Sequence, residues 1–451
     1  MPTRAAWCVL TAVIVAVFAL VGVWTVRMAW ADSHFRQDTL AGTQEAIQLE
    51  PDSAGYYARL SALTQDSDPA RSKQALESAV ALNPRDSESW VELGLRAEAA
   101  GDLAGAERDL LRAANIDKQY LPSWSLANYY FRRGEAEKFW FWAHVATTMA
   151  YGDQAPLFNL CWKVTSDSPM IERKLDIRKA DLEANYLAYL TSQNRVEPLT
   201  RAAVRLLAWN READQPVLMA ACDRLILDGR ADEAIQIWNK LADLRGIPYG
   251  KLAPASGRSL TDGDFRATPT SQGFDWQLPN VDGAGTLLDE QPAGLRISFS
   301  GRQPENCDVL TQILPVMDGA NYELRFLYRT SGIAAETGLG WRIMDLDGSK
   351  MLAQGGSLAS ESEREGRFSF RTPACARLVR LTLSYRRALG TTRIEGYIDL
   401  HKLRLALAEN GSHKLEGGQF CPVSARVPTR HAECVRQAAF LSQPQIPHQA
   451  I

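Results

Sequence analysis

Aromatic residues followed directly by arginine recur in the C-terminal half of the chain and form its most conspicuous chemical pattern. A flat aromatic ring can stack on the C–H face of a sugar, and a planar guanidinium can donate to hydroxyl or uronate oxygens. The pattern therefore predicts a glycan-binding surface. Its candidate contacts are Arg329, Trp341, Arg342 and Arg386, and Trp276, which precedes the first predicted strand, is a further candidate outside the pattern.

A competing interpretation places the aromatic residues of this region in a hydrophobic core. Alternation along a strand puts Tyr328 on the same face as Leu324 and Phe326, and Tyr385 on the same face as Leu383. Such faces usually point into a sandwich. The sequence leaves core packing and ligand contact open for these aromatics.

A second group of aromatic and basic residues lies in the N-terminal half and suits a protein partner. It comprises Tyr129, Tyr130, Arg132 and Arg133. Four consecutive aromatic residues at 139–142 follow on the next predicted helix. They span a full helical turn and cannot all face one core. We expect burial against the following helical hairpin.

Motifs for catalysis are missing from the sequence. It contains no phosphate-binding glycine loop, no Gly-x-Ser-x-Gly elbow and no His-Glu-x-x-His motif, and it has six histidines in all. No Cys/His spacing suggests zinc, and Asp345 to Gly348 is interpreted as a hairpin turn rather than a calcium loop. The net charge of −3 gives no electrostatic footprint for nucleic acid. We expect a non-enzymatic protein with no cofactor, metal or nucleic-acid partner.

Four of the seven cysteines lie in the C-terminal half. Cys307 and Cys375 each stand at the edge of a predicted strand of one domain, so we predict a disulfide between them. Cys421 and Cys434 could make a second pair. Paired cysteines form in oxidising compartments, which favours a body outside the cytoplasm.

The N-terminus contains a run of 22 uncharged residues from Ala5 to Val26. As a helix this run is about 33 Å long, enough to cross a hydrocarbon core of about 30 Å. Residues 1–31 are therefore predicted to be a single-pass anchor in the inner, cytoplasmic membrane. A cleavable signal peptide is the alternative, because Ala29-Trp30-Ala31 fits a cleavage site. Arginines on both sides of the run leave the orientation open.

Residues 32–246 repeat with a period of 33 or 34 residues. Similar phrases end at Pro51, Pro84, Lys118 and Gly152, and an aromatic residue follows each after six positions. The clearest unit reads Trp90, Leu93, Gly94, Ala97, Gly101, Ala106, Leu110 and Ala113. This pattern resembles the tetratricopeptide repeat, in which small residues let paired helices approach closely. The resemblance implies an α-solenoid of five or six hairpins, one of them irregular after Pro169, that binds a protein partner.

Helical periodicity stops near Gly246, and residues 247–273 are predicted to be a linker rich in Pro, Gly, Ser and Thr. Residues 274–408 then alternate with period two between turns, which predicts an antiparallel sandwich. The strand Gln312–Val316, the turn into Tyr322 and the final strand from Gly396 resemble jelly-roll carbohydrate-binding modules of the galactose-binding-like class. Asp399 is similar to a position that binds structural calcium in some of these modules. Residues 409–451 are predicted to be a flexible tail.

Together these features predict a multidomain chain with one transmembrane helix, an α-solenoid and an all-β jelly-roll sandwich. We expect a membrane-anchored scaffold of the cell envelope with its body on the periplasmic side. The array would bind a protein partner and the sandwich a polysaccharide, in exopolysaccharide synthesis, polymerisation or export. The alternative is a purely protein-binding assembly factor whose sandwich caps the array, because a solenoid end exposes an apolar face.

Overall fold

The computed structural model describes residues 4–149, 152–290 and 293–408. The chain divides into two compact units, Met1–Ile247 and Pro248–Ile451. The predicted tail at 409–451, with Cys421 and Cys434, lies outside the described residues.

The first unit is helical throughout its described part. Its helices are α1 Arg4–Phe35, α2 Leu40–Leu49, α3 Ala54–Thr64, α4 Pro69–Leu82, α5 Ser87–Ala99, α6 Leu103–Ile116, α7 Tyr120–Arg133, α8 Ala136–Met149, α9 Ala155–Val164, α10 Ser168–Leu175, α11 Ala180–Ser192, α12 Val196–Ala208, α13 Gln215–Leu227 and α14 Ala231–Asp243. Consecutive helices pack in pairs, and six pairs follow α2. The predicted α-solenoid is confirmed, at the upper end of the expected number of hairpins.

Aspartate side chains cap the N-termini of four helices in this array. The carboxylates of Asp68, Asp86, Asp102 and Asp167 accept from backbone N–H groups in the first turns of α4, α5, α6 and α10. Each such cap stabilises its helix by about 1 kcal/mol. The irregular hairpin predicted after Pro169 is confirmed, because α10 has 8 residues where the other second helices from α4 to α14 have 13 or 14.

The close approach predicted at Gly94 is also present. A Cβ placed on Gly94 would lie 2.7 Å from Leu110 Cγ and 3.2 Å from the Ala106 carbonyl oxygen. Gly94 and Ala106 therefore mark the crossing point of α5 and α6, and Leu110 fills the space beside it. The repeat pattern thus identified a real steric contact.

Helix α1 is long and apolar enough to span a membrane over Ala12–Phe35, a property that signal sequences share. It continues without a break into the first helix pair. Ala31 is fully buried there, and the Phe35 ring centroid lies 4.7 Å from that of Tyr56 in α3. The C-terminal end of α1 is thus part of the folded array.

The second unit is an antiparallel sandwich. Its strands are β1 Ala284–Glu290, β2 Ala293–Ser300, β3 Asn306–Pro315, β4 Asn321–Ser331, β5 Leu339–Met344, β6 Met351–Gln354, β7 Arg364–Arg371, β8 Leu378–Arg386 and β9 Glu395–Leu407. They form a five-stranded sheet of order β1-β2-β9-β4-β7 and a four-stranded sheet of order β3-β8-β5-β6. The predicted sandwich is confirmed. Phe265, within the segment 247–273, packs into the same core.

Candidate functional site

The two tryptophans predicted to stack on sugar lie in the core of the sandwich. Trp276 is fully buried, and its indole Nε1 donates to the Asp262 carbonyl oxygen at 3.1 Å. Trp341 is 1% exposed and meets the Phe326 ring at a centroid distance of 5.8 Å. Alternation along β5 turns Leu339, Trp341 and Ile343 inward together. The prediction that both tryptophans offer ring faces to a glycan is therefore wrong.

The three predicted arginines are divided between the two outer faces of the sandwich. Arg329 is on β4 of the five-stranded sheet, whereas Arg342 and Arg386 are on β5 and β8 of the four-stranded sheet. The sequence pattern grouped the three arginines because each follows an aromatic residue. It carries no information on strand order, so it could not show that they lie on different sheets. The five predicted glycan contacts do not form one site.

On the outer face of the five-stranded sheet, Asp399 is held between Arg296 and Arg329. Arg296 Nε donates to Asp399 Oδ1 at 2.7 Å, and Arg329 Nη2 donates to Asp399 Oδ2 at 2.9 Å. Burial raises the pKa of the Asp399 carboxyl, but these hydrogen bonds outweigh burial and hold the pKa below its usual range. Arg296 also covers the Tyr397 ring at 4.5 Å from its centroid. Asp399 is therefore an ion-pair residue in this structure.

The outer face of the four-stranded sheet has a different character, because its centre is polar and buried. Two cross-strand rows define it in the strand register, Asp308–Ser384–Gly340 and Thr311–Thr382–Arg342. We call Asp308, Thr311, Arg342, Thr382, Ser384 and Arg386 the polar face. Inward-pointing Val379, Leu381, Leu383 and Tyr385 alternate with its β8 members and anchor the strand in the core.

Two hydroxyls at the centre of the polar face have no partner. Thr382 and Ser384 are each 1% exposed, and neither hydroxyl has a hydrogen-bond partner within the described part of the chain. Buried polar groups in proteins are almost always hydrogen-bonded, so each exception asks for a bound water or ligand. Four such atoms lie on β8 among the described residues, and the hydroxyls of Thr382 and Ser384 are the two that belong to the polar face.

The charged members of the polar face surround these hydroxyls. Arg342 is 5% exposed and donates through Nη1 to the Ser384 carbonyl oxygen at 3.0 Å. Burial, followed by the nearby Arg386 charge, lowers the pKa of Arg342. Arg386 Nη2 donates to Asp308 Oδ1 at 2.8 Å, and both side chains are about a third exposed. The polar face therefore opens to solvent at the Arg386–Asp308 pair.

Sequence reasoning missed Asp308, Thr311, Thr382 and Ser384 as members of this face. The strand Leu378 to Arg386 does show two hydroxyl residues alternating with apolar ones. That pattern is typical of a solvated sheet face, and only the structure reveals that these hydroxyls are buried. Donors and acceptors of both kinds at this spacing can bind a polyhydroxylated ligand.

The predicted partner contacts on the array are mostly internal. Tyr129 and Tyr130 are buried, and their hydroxyls donate to the Leu103 carbonyl oxygen at 2.9 Å and to Glu107 Oε1 at 2.7 Å. The prediction that these two tyrosines touch a partner is wrong, because they join α7 to α6. Arg132 pairs through two nitrogens with Glu98 of α5.

Arg133 is exposed and remains a candidate contact on α7. In the aromatic run of α8, Phe139 and Trp140 are buried as expected, whereas Phe141 is 59% exposed.

The predicted disulfide is also wrong. Cys307 is a free, buried thiol, whereas Cys375 is disulfide-bonded. In the strand register Cys307 faces Tyr385 at one end of the β3–β8 pair, and Cys375 precedes the other end, where Leu378 faces Pro315. The length of strand β3 separates the two cysteines. Each cysteine lies close to the start of a strand, Cys307 in β3 and Cys375 before β8, but at opposite ends of the β3–β8 pair.

Comparisons with solved structures match separate parts of the chain. No family model matches the sequence, and none of the curated proteins matches it. Among solved structures, the helical unit is similar to YrrB, a TPR protein with an unusual peptide-binding site, at 9% identity over 45% of this chain and 92% of that one, with a TM-score of 0.24. A crystal structure of MamA matches at 17% identity over 28% of this chain and 77% of that one, with a TM-score of 0.25.

The sandwich is similar to the CBM22-1 xylan-binding domain of Paenibacillus barcinonensis Xyn10C. The match has 12% identity over 33% of this chain and 93% of that one, with a TM-score of 0.23. The chain is a helical array followed by an antiparallel sandwich of two β-sheets.

Proposed function

We propose that this protein is a membrane-anchored binding protein of the cell envelope. Residues 5–26 cross the inner membrane once, and the array and the sandwich lie on the periplasmic side. The array binds a protein partner and the sandwich binds a glycan, in exopolysaccharide synthesis, polymerisation or export. The apolar length of α1 supports the anchor. The disulfide bond at Cys375 supports an oxidising compartment for the sandwich.

The observation that carries the glycan proposal is the pair of unpartnered hydroxyls on the polar face. Among the described residues, the buried hydroxyls of Thr382 and Ser384 have no hydrogen-bond partner, and they lie beside the Arg342 guanidinium and the Arg386–Asp308 pair. Leaving a buried hydroxyl unpaired costs about 1–3 kcal/mol, so two such hydroxyls side by side suit a site completed by a ligand. Sugar hydroxyls both donate and accept, and they fit this mixed set of groups.

Binding at the polar face relies on hydrogen bonds rather than ring stacking. Every aromatic side chain described between residues 274 and 408 is buried except Tyr397, and Arg296 covers that ring. The positive charges of Arg342 and Arg386 favour a polysaccharide carrying carboxylates over a neutral one. A single shallow site of this kind binds in the micromolar to millimolar range, about −4 to −8 kcal/mol.

The same shortage of exposed aromatic rings favours one alternative function. In that alternative the protein is an assembly factor that binds proteins only, and the sandwich caps the array. The two functions differ in one measurable property, which is whether polysaccharide in a gel slows the migration of the protein.

Affinity electrophoresis of the detergent-solubilised full chain, through gels containing the host's exopolysaccharide, tests the proposal. Native protein should be retarded, and Arg386→Ala should migrate as if the polysaccharide were absent. Arg325→Ala is the matched control, because Arg325 is an exposed, ion-paired arginine on the outer face of the other sheet. Equal migration of native protein with and without polysaccharide would favour the assembly-factor function.

A further inference from the structure

A pocket of about 590 Å³ lies on the array between α10, the loop after it and α12. Its charged lining consists of Arg173, Arg178, Arg201 and Arg205, with Glu172 and Asp176. The pocket is built from second helices of the hairpins and the loop after α10. It is therefore separate from the groove that the first helices of such arrays form. We call it the arginine pocket.

The carboxylates of the arginine pocket are already engaged. Glu172 accepts from Arg205 Nη1 at 2.9 Å and from the Ser168 hydroxyl at 2.9 Å. Asp176 accepts from Arg178. Arg205 also donates through Nε to the buried Glu183 at 3.2 Å, which fixes the guanidinium between α10, α11 and α12.

The arginines of the pocket are not all neutralised by these carboxylates. Arg173 has no hydrogen bond or ion pair from its side chain within the described residues, and Arg201 comes no closer than 4.0 Å to Glu172. The Nη2 of Arg205 is buried and has no hydrogen-bond partner among the same residues. Among the described residues the pocket thus offers the unpaired guanidinium of Arg173, the weakly paired guanidinium of Arg201 and one unpaired N–H donor of Arg205.

We propose that the arginine pocket binds a carboxylate-bearing segment of a protein partner. Guanidinium forks bind carboxylates through two parallel hydrogen bonds, and this geometry suits the side chain of Asp or Glu or a chain terminus. Pro169 and Ile177 add an apolar wall that can take the aliphatic part of the same segment. Glu172 and Asp176 disfavour a doubly charged phosphate group, because they place negative charge beside the arginines.

This inference rests on the proposed role of the array in binding a protein partner. The test uses the full chain in detergent and a fluorescein-labelled oligoglutamate peptide, with oligoglutamine of the same length as the neutral probe. Fluorescence anisotropy should show oligoglutamate binding that weakens with salt, and little binding of oligoglutamine. Arg201→Gln and Arg173→Gln should each weaken oligoglutamate binding by about tenfold.

Arg112→Gln is the matched control, because Arg112 is an exposed arginine on the second helix α6, outside the pocket. It should leave the affinity within about twofold of native. Equal binding of both peptides, or equal loss in all three variants, would overturn the proposal. The exopolysaccharide gel run on the native protein separates the two ideas. Retardation of the native protein without oligoglutamate binding refutes only the pocket, and oligoglutamate binding without retardation refutes only the glycan function.

Discussion

Adding one methyl group at Gly94 measures how closely α5 and α6 approach in the array. In Gly94→Ala the new Cβ would lie 2.7 Å from Leu110 Cγ and 3.0 Å from its Cδ2. Leu110 is fully buried and has little room to move. Overpacking of this kind costs about 1–3 kcal/mol, and the better helix propensity of alanine returns about 1 kcal/mol. We expect a net loss of about 0–2 kcal/mol.

Gly55 in α3 provides the control for helix propensity, because nothing lies within 4 Å of a Cβ built there. Gly55→Ala should stabilise the array by up to about 1 kcal/mol. Urea unfolding followed by far-ultraviolet circular dichroism reports both changes. A Gly94→Ala protein as stable as Gly55→Ala would refute the close helix crossing.

A double mutant then identifies the contact that is responsible. Leu110→Ala alone should cost about 2–5 kcal/mol, because it leaves a cavity beside the crossing. In the combined Gly94→Ala, Leu110→Ala protein the added methyl group no longer clashes, so the loss should be smaller than the sum by at least about 0.5 kcal/mol. Additive losses would place the strain of Gly94→Ala somewhere other than Leu110.

Two further predictions concern the ion pair and the anchor. Asp399→Asn should destabilise the sandwich by about 1–3 kcal/mol at neutral pH. Because the folded pKa of Asp399 is below the ordinary 3.8, this contribution is complete above about pH 4 and is lost as the pH falls through the folded value. Unfolding curves of native and mutant protein should therefore converge in acid, and a constant difference would contradict the ion pair. Removing residues 1–26 should leave a soluble protein with native melting temperature, whereas removing residues 1–35 should lower it, since Ala31 and Phe35 pack in the array. Equal melting of both truncations by calorimetry would contradict that packing.

The array was predictable from the sequence because its contacts are local. Gly94, Ala106 and Leu110 lie within one repeat, and the period of 33 or 34 residues recurs in the aromatic positions Tyr57, Trp90, Trp124 and Phe158. The capping aspartates and the irregular helix after Pro169 are likewise read from neighbouring residues. Local periodicity decides such a fold.

The candidate site on the sandwich was less predictable because its contacts join distant strands. Arg386 meets Asp308 from 78 positions away, and Arg296 meets Asp399 from 103 positions away. Alternation correctly indicated that Tyr328 and Tyr385 point inward, and the same rule applied to Leu339, Trp341 and Ile343 would have placed Trp341 in the core. Strand order and register bring Thr382 and Arg342 together, and neither can be predicted from the sequence of a single strand.

The central claim, that the polar face binds a glycan, is tested most directly by calorimetric titration of Thr382→Val with an acidic exopolysaccharide. Valine replaces the buried, unpartnered hydroxyl with a methyl group of similar size, so the free energy of unfolding should stay the same or rise by up to about 1 kcal/mol. Ser298→Ala, which removes an exposed hydroxyl from the outer face of the other sheet, is the control. We predict that Thr382→Val binds at least about tenfold more weakly than native protein at unchanged melting temperature, while Ser298→Ala binds normally. Native affinity in Thr382→Val would contradict the claim.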